Sequence, residues 1–212
     1  MCNDGEVIFC GFRVGLSAVL QYFRRSLNNK GMDSQSPPSQ EFYHRKTLDV
    51  ARDLLGCVLV RRMGRKTVRA RIVEVEAYIG EDDLACHAAK GRTKRTEIMY
   101  GKPGHAYVYM IYGMYHCLNV VTEEEGYPAA VLFRAVAVEH MPDKETNGPG
   151  KLCRFLGIDR DLNGWDMTKG KKLWIEEGKP MPDEEIVAIP RIGVDYAKHC
   201  AEYPWRFVLR KK

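Results

Sequence analysis

Between His105 and Val121 the chain is a nearly uncharged run of aromatic and apolar residues, interrupted at Tyr112-Gly113. Aromatic and β-branched side chains suit a pleated surface better than a helix. A glycine inside such a run marks the place where two strands can turn back on each other. The segment therefore predicts an antiparallel hairpin with Tyr112-Gly113 at its tip. With the period of a strand, Tyr107, Tyr109 and Ile111 share one face. On the returning strand Tyr115, Cys117, Asn119 and Val121 share a face.

The rest of the chain extends this pattern. Val58 to Arg62 and Val68 to Ile79 read as strands joined by a turn at Gly64, and Ala129 to Val138 as another. Shorter strands are expected around Leu173, Val187 and Phe207. Thr47 reads as a helix N-cap, followed by Leu48, Ala51, Leu54 and Leu55 at helical spacing and stopped by Gly56. Gly148-Pro149-Gly150 opens a second helix from about Lys151 to Leu156. Residues 80–104 form a basic loop carrying Lys90, Arg92, Lys94, Arg95 and Lys102. Strands linked by short turns, with few helices, specify an α+β domain. It should be a single domain built on a curved, mostly antiparallel sheet with a protruding hairpin.

Residues 28–41 are polar and contain Pro37-Pro38, a linker composition. We expect 1–41 to be a disordered extension and linker, and 42–212 to be the folded domain. The apolar run from Val7 to Phe23 is broken by Gly11, Arg13, Gly15 and Gln21 and follows Asp4 and Glu6. Neither a secretion signal nor a membrane span is expected there. Met32 offers a second start.

The chain has 212 residues, 45% of them hydrophobic, which is enough for one core. Its net charge of +5 suits a polyanionic partner without proving one. The Cys count of 7 is odd, and no Cys-x-x-Cys occurs, which reads as reduced thiols. Cys86-His87, His116-Cys117 and His199-Cys200 are adjacent pairs. Neighbours on a strand point to opposite faces, so no metal is expected, and no cofactor.

Five features carry chemistry, each with two readings. Glu74 and Glu76 lie on one face of an otherwise apolar strand, with Ile72 and Tyr78. They form either a solvated face or a pocket wall holding a general base, with Tyr78 placed to stack on a planar ligand. Arg134 sits within Ala130 to Val136. It is either solvated or buried, and if buried it needs a carboxylate, for which Glu76 and Glu74 are candidates. Tyr112 either caps the core or stands exposed as a wedge for a base stack. Asn119 either braces a turn or reads a base edge. Gly148 to Lys151 lacks the spacing of a nucleotide loop; it punctuates a helix or holds one backbone phosphate.

In this order and spacing, several segments resemble the alkyladenine (3-methyladenine) DNA glycosylase family. They are Ala51 to Gly56, Glu74 to Tyr78, Asp83 to His87, Met99 to Gly104, Tyr107 to Asn119, Arg134-Ala135, Gly148 to Leu152 and Arg191 to Val194. The resemblance runs from about Phe42 to Leu209. It implies a monofunctional enzyme that flips an alkylated or deaminated purine from duplex DNA and hydrolyses its N-glycosidic bond. Glu76 would activate the water and Arg134 position it. Tyr78, His87 and Tyr109 would line the base pocket, Asn119 would exclude guanine, and Tyr112 would fill the gap in the duplex. Lys151, Arg92, Lys94 and Arg95 would meet phosphates. The implied fold is similar to the C-terminal domain of formyl-transferring enzymes. A monomer is expected, cytoplasmic and nucleoid-associated in a prokaryote. Residues 140–147 are shorter than the family pattern, and Thr96-Glu97 departs from it. Two competing readings are a damaged-base binder without turnover and an RNA-binding accessory domain, which would need neither Glu76 nor an exposed Tyr112.

Overall fold

The computed structural model describes residues 36–178 and 181–210. Most of the expected extension, with its apolar run and Met32, lies outside the described residues. The end of the expected linker is already structured. Residues 36–39 are irregular, and the short helix α1 (Gln40–Tyr43) follows with Tyr43 fully buried.

Next come α2 (Thr47–Leu54), β1 (Val58–Met63), β2 (Lys66–Ile79), β3 (Ala106–Ile111), β4 (Tyr115–Val121) and β5 (Ala129–Ala137). After them come α3 (Pro149–Phe155), β6 (Leu173–Glu176), β7 (Ile186–Ile189) and β8 (Arg206–Leu209). The expected strands and helices are all present, shifted at their ends by a residue or two. The basic loop contains short 3-10 turns at His87–Lys90 and Glu97–Tyr100.

The strands form one 8-stranded sheet whose pairings are all antiparallel, in the order β3-β4-β5-β2-β1-β6, with β8 joining β2 to β7. Short turns favour this arrangement, since parallel pairs need long crossovers. β2 has 14 residues, long enough to hold different partners along one edge. Its first half pairs with β1, and Glu74 to Glu76 pair with Val208 to Arg206 of β8. β5 covers the other edge from Arg71 to Ile79. In that ladder the register skips Val73 on β2 and Arg134 on β5. Such irregularities re-aim a side chain. Here they let Arg134 lean back across β2. From Glu74 to Ala77 every residue is buried, so both faces of this stretch are covered.

The two longer helices pack on the sheet, α2 against β2 and β5, and α3 against β4 and β5. α2 buries Thr47, Val50, Ala51 and Leu54, one stripe at helical spacing. At α3 the approach is close: a Cβ on Gly150 would lie 3.0 Å from Tyr115, the first residue of β4 after the hairpin turn. A glycine there lets the helix brace the hairpin.

The Thr47 expectation needs correction. Lys46 holds the cap position, and Thr47 is the first helical residue. Its hydroxyl and its N–H both donate to Glu123 Oε1, at 2.7 and 2.6 Å. A carboxylate from a distant turn therefore satisfies the exposed helix start and complements its dipole. We expect Glu123→Ala to lower stability by about 1–2 kcal/mol, because buried donors lose their acceptor. Urea unfolding checks this; an unchanged midpoint would mean that water replaces the carboxylate without loss.

Candidate active site

The buried stretch of β2 carries two acids. Glu76 is 0% exposed and Glu74 6%, which removes the solvated-face reading. Arg134 is the partner that the burial of such charges demands. Its Nε donates to Glu74 Oε1 at 2.9 Å, and its Nη1 lies 3.3 Å from Glu76 Oε1. The side chain is only 13% exposed, so the solvated reading of Arg134 falls too. Burial works against the Arg134 charge, but Glu76 and then Glu74 outweigh it and raise its pKa. Glu76 also accepts from the Tyr78 hydroxyl at 2.8 Å on Oε2 and from the Ile192 N–H at 2.8 Å on Oε1.

Aromatic side chains stand beside this carboxylate. Tyr78 borders it directly, and Tyr78 and Tyr109 pack against one shared cluster with Tyr107 and Cys86. The His87 ring meets Tyr109 edge-on at 4.5 Å, and its Nδ1 is 2.9 Å from the Tyr107 hydroxyl. Either the phenol or the imidazole can donate across this contact. The nearby Arg95 charge works against the upward shift of the Tyr107 phenol. Burial, followed by the charges of Arg95 and Lys90, pushes His87 down to about 4. Burial pushes the Tyr107 phenol up to about 12 and raises Tyr78 and Tyr109 as well. The aromatic walls are therefore neutral.

At the hairpin tip Tyr112 and Gly113 have φ values of 52° and 67°, and the Met114 N–H returns to Ile111 O at 3.2 Å. Positive φ at both central residues gives the primed turn that matches strand twist. A tyrosine in that conformation costs about 1 kcal/mol. Tyr112 is nevertheless 86% exposed and so does not cap the core. Met114 beside it is exposed as well. Asn119, opposite Tyr107 in the hairpin, is buried and donates from Nδ2 to the Tyr107 carbonyl at 3.0 Å.

The basic residues are less uniform than expected. Lys94 is exposed. Arg92 is held by Glu97 through bonds of 3.0 and 2.7 Å. Arg95 sits with its guanidinium 5.2 Å from the Tyr109 ring centre, close to the aromatic walls. Lys151 donates to the Lys144 carbonyl at 3.0 Å. Among the described residues no group of His, Cys, Asp and Glu is arranged to hold a metal ion. Cys57, Cys86, Cys117, Cys153 and Cys200 are buried free thiols. No helix of the described residues is long and apolar enough to cross a membrane.

A model of the methylpurine-DNA glycosylase family matches residues 41–212. The chain belongs to this family. The enzyme class that goes with it is a hydrolase of N-glycosyl bonds in DNA repair. Similar chains include one from Methanocella arvoryzae, 53% identical over 79% of this chain and 90% of its own length. Another, from an Anaeromyxobacter strain, is 55% identical over 81% of this chain and 88% of its own. A third, from Desulfitobacterium hafniense, is 48% identical over 80% and 93%. All three carry the provisional name 3-methyladenine DNA glycosylase.

The structure of this glycosylase adds residues to which sequence reasoning gave no role. Arg191 forms a fully buried bidentate pair with Asp83, at 2.6 and 2.8 Å. Its guanidinium lies 4.8 Å from the Tyr78 ring centre and 5.1 Å from that of Trp205. The pair thus braces the Tyr78 ring and fixes the backbone that presents the Ile192 N–H to Glu76. Arg206 on β8 donates to Glu74 Oε1 at 2.7 Å. The signal for Arg206 was the one that flagged Arg134, an arginine inside an apolar strand.

The depressed His87 gives a pH signature. The unfolded chain takes up this proton near pH 6.5, the folded chain only near 4. The contribution of neutral His87 to stability is therefore whole above 6.5, declines as pH falls toward 4, and is flat below. In His87→Gln that loss is absent. Its stability difference from wild type should shift in the variant's favour by about 1–3 kcal/mol between pH 7 and pH 4.5. Denaturant melts at both pH values check this, and parallel curves would refute a neutral buried imidazole.

Proposed function

We propose that this chain is a monofunctional DNA glycosylase that removes alkylated or deaminated purines from duplex DNA by a water activated on Glu76. The observation that carries the reading is the Glu76 carboxylate itself. It is fully buried, oriented by Arg134, Tyr78 and Ile192, and placed beside neutral aromatic walls. A carboxylate in that setting serves as a general base and stabilises positive charge developing on the sugar. In the reaction the water oxygen bonds to the anomeric carbon and its proton passes to Glu76. The C–N bond breaks and the purine leaves with the electron pair. A cationic N-alkylpurine departs neutral, so no proton donor is needed for it; an uncharged deaminated purine leaves with an added negative charge and takes up a proton from solvent water. With water as the nucleophile no covalent enzyme–DNA link forms, and the strand stays intact.

Tyr78 and Tyr109 offer faces for a flipped base, and such faces attract a cationic purine. His87 offers its neutral imidazole to the base edge, and Asn119 closes the pocket against an exocyclic amino group. Tyr112 fills the vacated position in the duplex. Its exposure and its unfavourable backbone conformation support that role, because packing does not explain either. Lys94 and Lys151 are exposed and available to phosphates, while Arg92 would have to leave Glu97 to reach one. On the same reading the sheet is of the kind found in formyl-transferring enzymes.

Single-turnover base release from duplex oligonucleotides, each carrying one lesion, tests the proposal. Glu76→Gln should slow release by about 10²–10⁴-fold while DNA binding persists. Wild-type rates in a folded variant would remove Glu76 from the mechanism. Tyr112→Ala should reduce release from a normally paired lesion more than from a lesion in a mismatch or single strand, where unstacking costs less. An equal loss on every substrate would contradict the wedge.

A further inference from the structure

Arg134 does not face Glu76 unaided. Glu74 Oε1 accepts from the Nε of Arg134 at 2.9 Å and from the Nε of Arg206 at 2.7 Å. Side-chain exposure is 0% for Glu76, 8% for Glu74, 13% for Arg134 and 21% for Arg206. Two guanidinium groups and two carboxylates thus balance one another away from bulk water. At the lower effective dielectric of such a place each charge is strongly felt by the others.

We propose that Glu74 and Arg206 are positioning residues that aim Arg134 at Glu76 and hold the cluster neutral. The inference rests on the reading of Glu76 as the base. Anchoring the Arg134 Nε on Glu74 turns its Nη1 toward Glu76, because the guanidinium is planar and its donors are fixed in a fork. Arg206 shares the anchoring oxygen and offsets the charge that Glu74 brings. Without Arg206, Glu74 draws Arg134 to itself and the cluster carries an excess anion. Without Glu74, two cations remain around a single carboxylate.

The other groups facing Glu76 do not supply this balance. Tyr78 on β2 and the Ile192 N–H, after β7, are neutral donors. Arg191 is paired with Asp83. On β4, burial raises the Cys117 thiol and keeps it neutral.

The test is the pH profile of single-turnover release from a duplex containing 7-methylguanine. Its N7 charge is fixed by alkylation and loss of its N1 proton bears only on the basic side, so its own protonation adds no acid limb. Losing a cation near the base favours the protonated carboxyl, and losing an anion favours the carboxylate. Arg206→Gln should therefore move the acid limb up by at least about half a pH unit, and Glu74→Gln should move it down by a similar amount. Arg206→Lys keeps the charge and should leave the limb near its wild-type position. The double variant E74Q/R206Q is charge-balanced again and should also return it. It leaves no unpaired charge in the cluster, so it keeps the question open to measurement where a single variant fails to fold. Melting curves accompany each profile. A purely structural role lowers the melting temperature without moving the limbs in opposite directions. Limbs that stay put, or that move the same way in both single variants, overturn the proposal. Wild-type rates in Glu76→Gln would instead overturn the base assignment, a separate outcome.

Discussion

A carboxylate removed from water costs several kcal/mol unless charge and hydrogen bonds are returned to it. β2 buries two of them, Glu74 and Glu76, two positions apart on a strand covered on both faces. The surrounding architecture meets that requirement. The skipped register at Val73 and Arg134 turns a guanidinium back over β2. β8 lies along the same stretch and contributes Arg206. The segment after β7 brings a backbone N–H to Glu76, held there by the Asp83–Arg191 pair. Removing one member of such a set leaves an uncompensated buried charge, which costs about 3–5 kcal/mol. Stability and chemistry therefore draw on the same contacts.

The sheet order explains how these parts meet. β2 is central, so β5 and β8 reach it from opposite edges, and the loop leaving its end carries Asp83 and His87. The β3–β4 hairpin lies at the edge beyond β5. Its inner part carries Tyr107, Tyr109 and Asn119, with Tyr107 and Tyr109 packed in one cluster with Tyr78, while its tip carries Tyr112 into solvent. One antiparallel ladder thus runs from the aromatic cluster to the exposed tyrosine. α3 supports the hairpin near its tip through the close contact of Gly150 with Tyr115.

What could be read in the sequence was whatever local chemistry determines. Tyr112-Gly113 between apolar runs specifies a hairpin because few other sites permit successive positive φ values. Strand alternation placed Glu74, Glu76 and Tyr78 together, and the need to neutralise a buried arginine linked Arg134 to them. What stayed hidden depends on partners distant in the chain. Nothing near Thr47 indicates that Glu123 will accept its hydroxyl proton. Nothing near Asp83 indicates Arg191, 108 positions away. The register shift opposite Arg134 follows from tertiary packing, not from any turn signal. Likewise the engagement of Arg92 by Glu97 separates residues that look alike in a list of positive charges.

The protonation states also bear on which purines the proposed mechanism can release. A base that leaves as an anion needs a proton from the site. His87, pushed down to about 4, is not an imidazolium at neutral pH, and the Tyr78 and Tyr109 phenols are weaker acids than usual. On the proposed reading these walls would orient a base by neutral hydrogen bonds and stacking, and they offer little as strong acids. A purine carrying positive charge needs no such help, since bond cleavage discharges it. An uncharged normal purine gains no comparable relief, even if it enters the pocket. Discrimination then arises partly at the chemical step, from differential stabilisation of the transition state. Binding need not carry all of it. That division suits a site in which stacking on tyrosine faces tolerates many purines, and in which one buried anion acts on whichever of them is already prepared to leave.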